Sequence, residues 1–268
     1  MSSRLTLHVD DQIALVTLSR ADRHNALDLA MFEEIDAVIK RLRKDRSLRA
    51  VVVTGEGEDF CTGIDVKSVL ESRITSVKLL FKWLPGQSNL VQRISTGWRA
   101  IPCPVIMALH GRVWGGGLQI ALGGDLRVAS PETDLSILEA RWGLLPDMGG
   151  TLCLREQLPV DVAKYLAMTA KHMTAAQALH YRLITEVAEQ PLDRAMAIAA
   201  QISCQSPDSV AAVKKLYNRS AWHSQRYALA RETWYQIKIL LGKNQRTKTY
   251  RELNPDKPAK DFAARMDW

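Results

Sequence analysis

Short runs of branched apolar residues recur along this chain, and most are followed by a segment with helical spacing. That alternation narrows the possible folds more than any other feature. Residues 12–18 (Gln-Ile-Ala-Leu-Val-Thr-Leu) read as a strand. Asn25 or Asp28 can cap the helix that follows, in which Met31, Ile35, Val38, Ile39 and Leu42 recur at three- and four-residue steps. Residues 49–54 (Arg-Ala-Val-Val-Val-Thr) lack polar alternation and read as a fully buried strand before Gly55. Pro104 to Leu109 and Asp125 to Ala129 repeat the strand pattern, and a helix-like stretch opens at Gly115–Gly117 and runs through Leu122. Strands alternating with helices predict βαβ units joined by right-handed crossovers, an α/β fold.

From about residue 160 the pattern becomes helical: 160–170, 174–182, 192–204 and 207–240, with Thr174 and Ser206-Pro207 as starts. Residues 66–100 hold Pro85-Gly86 between two amphipathic pieces and read as an insertion or a mobile lid.

With 268 residues, the chain can form one large domain or two small ones. Its net charge of +7 admits nucleic acid, a solvated basic surface or an anionic, phosphate-bearing ligand. The cations are dispersed and no aromatic RNA-binding motif or helix-turn-helix accompanies them. Surface charge plus an anionic small ligand is therefore the expectation, with no nucleic acid. No apolar run reaches membrane-spanning length and Met1 to Leu5 opens no secretory signal, so a cytoplasmic protein without a membrane partner is expected. Cys61, Cys103, Cys153 and Cys204 form no CxxC pair and no zinc-like spacing with histidine, so no metal is expected. Cys61 reads as a small buried thiol rather than a nucleophile.

Two stretches, Phe60-Cys61-Thr62-Gly63-Ile64-Asp65 and Trp114-Gly115-Gly116-Gly117-Leu118-Gln119, place glycine where a strand gives way to a turn or helix. Backbone amides from two such sites, aimed at one point, would form an oxyanion hole. The other reading of a glycine run is a turn or tight packing site.

In order, the motifs resemble those of the crotonase (enoyl-CoA hydratase/isomerase) superfamily from about residue 5 to about residue 220. They are Arg23-His24-Asn25-Ala26-Leu27, Phe60 to Asp65, Pro104 to Gly111, Gly115 to Gly117, Asp125 to Ala129, and Glu139 to Thr151. The resemblance implies a ββα spiral core over residues 1–200 and a C-terminal helical subdomain over 201–268 that takes part in trimerisation. It implies a homotrimer or a dimer of trimers acting on an acyl-CoA thioester, with coenzyme A as part of the substrate and no separate cofactor. Ile64 and Gly116 match the positions whose amides hold the thioester oxygen, and a helix starting at Gly116 would add its dipole. The edge from Cys61 through Asp65 to Lys67 matches the place of the adenine and pantetheine parts, and Arg23 and Lys67 are candidates for the CoA phosphates. Asp65 is expected to fix its loop rather than react, and His110 to be packed. Trp114 and Trp142 are candidates to wall the acyl pocket, and Leu80, Trp83 and Trp98 to line a lid.

Hydration in this family uses two glutamates. The first position is Gln119 here, which can orient substrate or water but cannot accept a proton; the second is Glu139. Asp147 stands where hydratases have a small uncharged residue and where members that shift double bonds, dienoyl-CoA isomerases among them, have aspartate. The resemblance therefore implies a double-bond isomerase with Glu139 and Asp147 as acid and base. Taken as residues alone, Asp147 beside Pro146 also reads as a turn residue and Glu139 as a partner of Arg141. The alternatives are an enoyl-CoA hydratase relying on Glu139 with Gln119 as helper, and a non-catalytic or RNA-binding protein of the same fold.

Overall fold

Ala50 to Gly55 is buried at all six positions because both faces of its strand are covered. The computed structural model describes residues 3–70, 73–220 and 223–268. In chain order the first half holds β1 (Leu5–Asp10), β2 (Ile13–Leu18), α1 (Leu29–Lys44), β3 (Ala50–Gly55), α2 (Val66–Leu70), α3 (Arg73–Leu80), α4 (Leu90–Thr96), β4 (Val105–Leu109), β5 (Arg112–Trp114) and α5 (Gly116–Leu122). Then come β6 (Leu126–Ala129), β7 (Asp134–Ser136), α6 (Gly150–Gln157), α7 (Val160–Thr169), β8 (His172–Thr174), α8 (Ala175–His180) and β9 (Glu186–Val187). The last helices are α9 (Pro191–Ser203), α10 (Pro207–Ser220), α11 (Gln225–Leu240) and α12 (Lys243–Leu253).

The main sheet runs β1-β2-β3-β4-β6-β9, antiparallel between β1 and β2 and parallel beyond. A second sheet, β5-β7-β8, stands apart from it. One face of the main sheet packs Val51, Val53, Val105, Met107 and Leu109 with Phe32, Ile35 and Ile39 of α1 and Ile94 of α4. The other face packs Val52, Ile106 and Val128 with Ala195 and Ala199 of α9. The fold is the mixed α/β architecture expected from the alternation, and solved structures that share it are described below.

Asp28 caps α1, its Oδ1 accepting from the amide of Met31 at 2.9 Å. Asn25 does not cap. It sits at φ 54° and its buried side-chain amide donates to the carbonyls of Glu56 (2.9 Å) and Asp59 (2.8 Å). The predicted helix over 207–240 is two elements, α10 and α11, and α12 follows where no helix was expected. The insertion or lid expected over 66–100 does not describe its second half. Leu90, Val91, Ile94 and Trp98 are buried core residues, so Trp98 cannot line a lid.

Candidate active site

Strand β3 delivers the chain to Phe60, and the next residues are stitched between two other segments. The amide of Leu27 donates to the carbonyl of Gly63 (2.8 Å), and that of Asp65 to the carbonyl of Leu27 (3.0 Å). On the other side the amide of Cys61 donates to Arg112 O (3.2 Å) and that of Trp114 to Cys61 O (3.0 Å). Residues 61–65 are thus pinned beside the start of α5. The glycines there are geometric necessities. Gly115 has φ 48° and ψ −117°, a conformation side chains exclude, and a β-carbon on Gly117 would stand 2.2 Å from Cys61 O. The amides of Ile64 and Gly116 donate to no acceptor among the described residues. Gly116 owes this to its place in the first turn of α5, where amides have no partner within the helix.

Glu139 opens a short 3-10 helix, Glu139–Trp142, and its carboxylate lies against this turn, 3.4 Å from where a β-carbon on Gly115 would be. Its Oε1 accepts from Gln119 Nε2 at 2.5 Å, while Oε2 is buried without a partner among the described residues. Burial, and then the negative charge of Asp147, push its pKa above the usual carboxylate range, against the pull of the Gln119 hydrogen bond. Burial alone pushes Asp147 up. Asp147 borders a cavity of about 380 Å³ shared with Lys82, Gln87, Gln92, Leu145 and Leu152. Gln119 is buried, and its Oε1 accepts the amides of Met148 (2.9 Å) and Gly150 (3.0 Å). Glu139 does not pair with Arg141, whose guanidinium instead meets His172 at 3.4 Å.

The remaining candidates scatter. Asp65 caps α2 through Ser68 N (3.2 Å) and pairs with Arg20 (3.0 Å). Burial pushes its carboxyl up, but Ser68 and Arg20 outweigh that and hold it low, as suits a loop-fixing residue. Cys61 is fully buried and burial pushes its thiol up to about 12, so its side chain faces the core and only its backbone borders the site. Arg23 and Lys67 are exposed, and Arg23 has Asp22 as a distant partner at 3.9 Å. Trp142 is largely exposed beside exposed Leu144 and Leu145. Leu80 and Trp83 are exposed, and Trp83 stacks edge-on against Phe81. Trp114 donates its indole N–H to Asp134 (2.9 Å), and His110 Nε2 donates to Gly57 O (3.1 Å).

Two hubs escaped the sequence reading. Arg20 ties Ala26 O (2.7 Å) to Asp65, and Asp59 grips Arg112 and His24. Their only sequence signal is a charge beside a turn, which is too common to single out.

A family model described as enoyl-CoA hydratase/isomerase matches residues 8–246. The chain is 32% identical over 224 residues to a carnitinyl-CoA dehydratase of Proteus mirabilis, covering 82% of each chain. It is 33% identical over 214 residues to an (E)-benzylidenesuccinyl-CoA hydratase of Thauera aromatica, covering 79% of this chain and 80% of that one. The structure of an enoyl-CoA hydratase from Mycobacterium tuberculosis superposes with a TM-score of 0.83 at 26% identity, covering 96% of this chain and 98% of that one. Among the described residues no helix is long and apolar enough to cross a membrane.

Proposed function

The chain belongs to the enoyl-CoA hydratase/isomerase family, and we propose that within it this enzyme moves a carbon–carbon double bond along an unsaturated acyl-CoA thioester. The observation that carries this reading is the carboxyl pair. Glu139 accepts from Gln119, and the same Gln119 side chain holds the amides of Met148 and Gly150 in the turn that carries Asp147. Burial raises both carboxyls, which suits groups that hold a proton and pass it on, one acting as acid and the other as base.

The amides of Ile64 and Gly116 receive the thioester oxygen. One carboxylate removes a proton from the carbon beside the thioester carbonyl, and the electron pair moves into that oxygen as a conjugated enolate. The two amides stabilise the charge as it forms. The other carboxyl returns a proton at the far end of the conjugated system, the double bond shifts, and no water is consumed. The side chain of Gln119 is engaged with Glu139 and two backbone amides. That supports isomerisation over a mechanism in which residue 119 activates water. Exposed Trp142, Leu144 and Leu145 support an apolar acyl tail.

Hydration or dehydration is the second reading, favoured by the names of the two relatives. Turnover of a panel of unsaturated acyl-CoAs in deuterated water separates the two. Deuterium incorporation with double-bond migration and no added water supports isomerisation. Rapid hydration of crotonyl-CoA that survives Asp147→Asn refutes it. The same reading includes assembly as a trimer or dimer of trimers, supported by exposed Trp234, Ile237, Leu240 and Leu241 at the end of α11 and just beyond it, and sedimentation measures it.

A further inference from the structure

The amide of Gln119 cannot turn over. Its Oε1 accepts two backbone N–H groups, from Met148 and Gly150, and an amide nitrogen could accept neither. The nitrogen is therefore the end that faces Glu139, and it donates to Oε1 there at 2.5 Å. This gives the two oxygens of Glu139 different duties. An oxygen that accepts from an N–H is the carbonyl oxygen when the acid is protonated, so the acid proton belongs on the other one. That other one, Oε2, is buried and unpartnered among the described residues.

Resting on the isomerase reading above, we propose that Gln119 is a positioning residue that commits Oε1 of Glu139 and leaves Oε2 as the oxygen that gives and takes the substrate proton. When Oε2 gains a proton, the carbonyl double bond of the side chain moves to Oε1; when it loses one, the charge spreads over both. In either state Oε1 still accepts from Gln119, so the hydrogen bond need not rearrange during turnover. The same side chain holds the turn that carries Asp147. The amides it accepts belong to the first and third residues after Asp147. One neutral group thus keeps both carboxyls in register, which a charged group at 119 could not do. A carboxylate oxygen 2.5 Å from Glu139 Oε1 would need a proton between the two, trapping it on the wrong oxygen.

Two variants test this. Gln119→Glu keeps an acceptor for the Met148 and Gly150 amides and so preserves the turn, but sets a carboxyl against Glu139 Oε1 that must share a proton with it. Gln119→Met removes both the acceptor and the donor. The readout is the carboxylic-acid infrared band of Glu139, identified by its loss in Glu139→Gln and followed against pH without substrate. Titration of that band at higher pH than in the wild-type protein is expected in both variants: in Gln119→Met because the hydrogen bond that favours the ionised form is gone, and in Gln119→Glu because a second carboxyl lies against the first. A fall in kcat of roughly a hundredfold with little change in KM should accompany it, the range of a misplaced general acid or base. An unchanged Glu139 titration in Gln119→Met overturns the proposal, as does a kcat that falls no further than stability loss explains. The titration needs no turnover, so it stands even if the acyl-CoA panel reveals hydration instead.

Discussion

A β-carbon on Gly63 would stand 3.3 Å from the amide nitrogen of Gly116 and 2.9 Å from the carbonyl oxygen of Trp114. The turn that carries Ile64 and the turn that opens α5 therefore touch backbone to backbone. This contact sets how far apart the two free amides lie, and any side chain at 63 would wedge them open.

Gly63→Ala is expected to cost about 1–3 kcal/mol, since Gly63 has φ +95°, a region that non-glycine residues occupy only under strain. With the two amides in the proposed oxyanion-hole role, the same displacement should lower kcat more than it raises KM, because such a hole acts most strongly on charge formed in the transition state. Urea denaturation and steady-state turnover measure the two effects. Wild-type values for both would mean that the turns are not held against each other.

Asp147→Asn is expected to destroy turnover and yet stabilise the protein at alkaline pH. Burial raises Asp147 above its ordinary value, so the folded state binds its proton more tightly than the unfolded chain does. That contribution to stability is complete below the unfolded value, near 4, and is lost as pH rises through the folded one. An uncharged asparagine escapes the loss. Tm of the variant should exceed that of the wild-type protein at pH 8. The gain should vanish in acid. A melting series from pH 4 to pH 8 that shows the opposite trend would contradict the burial of this carboxyl.

Asp59 shows the reverse sign. Its side chain is 3% exposed, and it meets Arg112 Nη2 at 2.6 Å and His24 at 2.9 Å. Burial pushes its carboxyl up, but the hydrogen bonds and charge of Arg112 prevail and hold it below the ordinary range. Stability from this cluster is present above about pH 4 and is lost as pH falls through the lowered value. Asp59→Ala should cost about 1–3 kcal/mol, less than a wholly buried pair because Arg112 keeps a third of its side chain in water. The acid limb of its stability profile should be flatter than that of the wild-type protein, as read by denaturant titration at several pH values.

The parts of this molecule legible in the sequence are those decided by neighbours along the chain. Asp28 caps α1 through an amide three residues away, and the apolar run Val51-Val52-Val53 announces a strand covered on both faces. The strand ending at Trp114 was legible only through the glycines after it, and the short strands β7 and β8 were not legible. Three residues carry no periodicity, and they exist because they pair with one another. Nor could spacing reveal that Asn25 would face two carbonyls more than thirty residues away, or that Gln119 would bridge Glu139 to the Asp147 turn. The break between α10 and α11 was hidden because no glycine or proline falls between residues 208 and 240 to mark it. At the candidate site, residue types and the buried Cys61 thiol were legible, while the exposure of Trp142 depends on packing.

Cys61 separates a thiol that packs from one that reacts. Its Sγ donates to the carbonyl of Asn25 at 3.1 Å, under the turn that carries Ile64. Burial pushes its pKa up to about 12, leaving on the order of one part in 10⁵ as thiolate at pH 7, and the thiolate is the nucleophile. Cys103 and Cys153 are also buried and also raised by burial, whereas Cys204 is exposed. Iodoacetamide at neutral pH should therefore modify Cys204 in the folded protein and all four cysteines in urea, as counted by intact-mass spectrometry. Cys61→Ala should keep most of its turnover while losing about 1 kcal/mol of stability through the small cavity it leaves. Rapid alkylation of Cys61 in the native protein, or abolished turnover in a folded Cys61→Ala variant, would make the thiol a chemical participant and displace the carboxyl pair from its role.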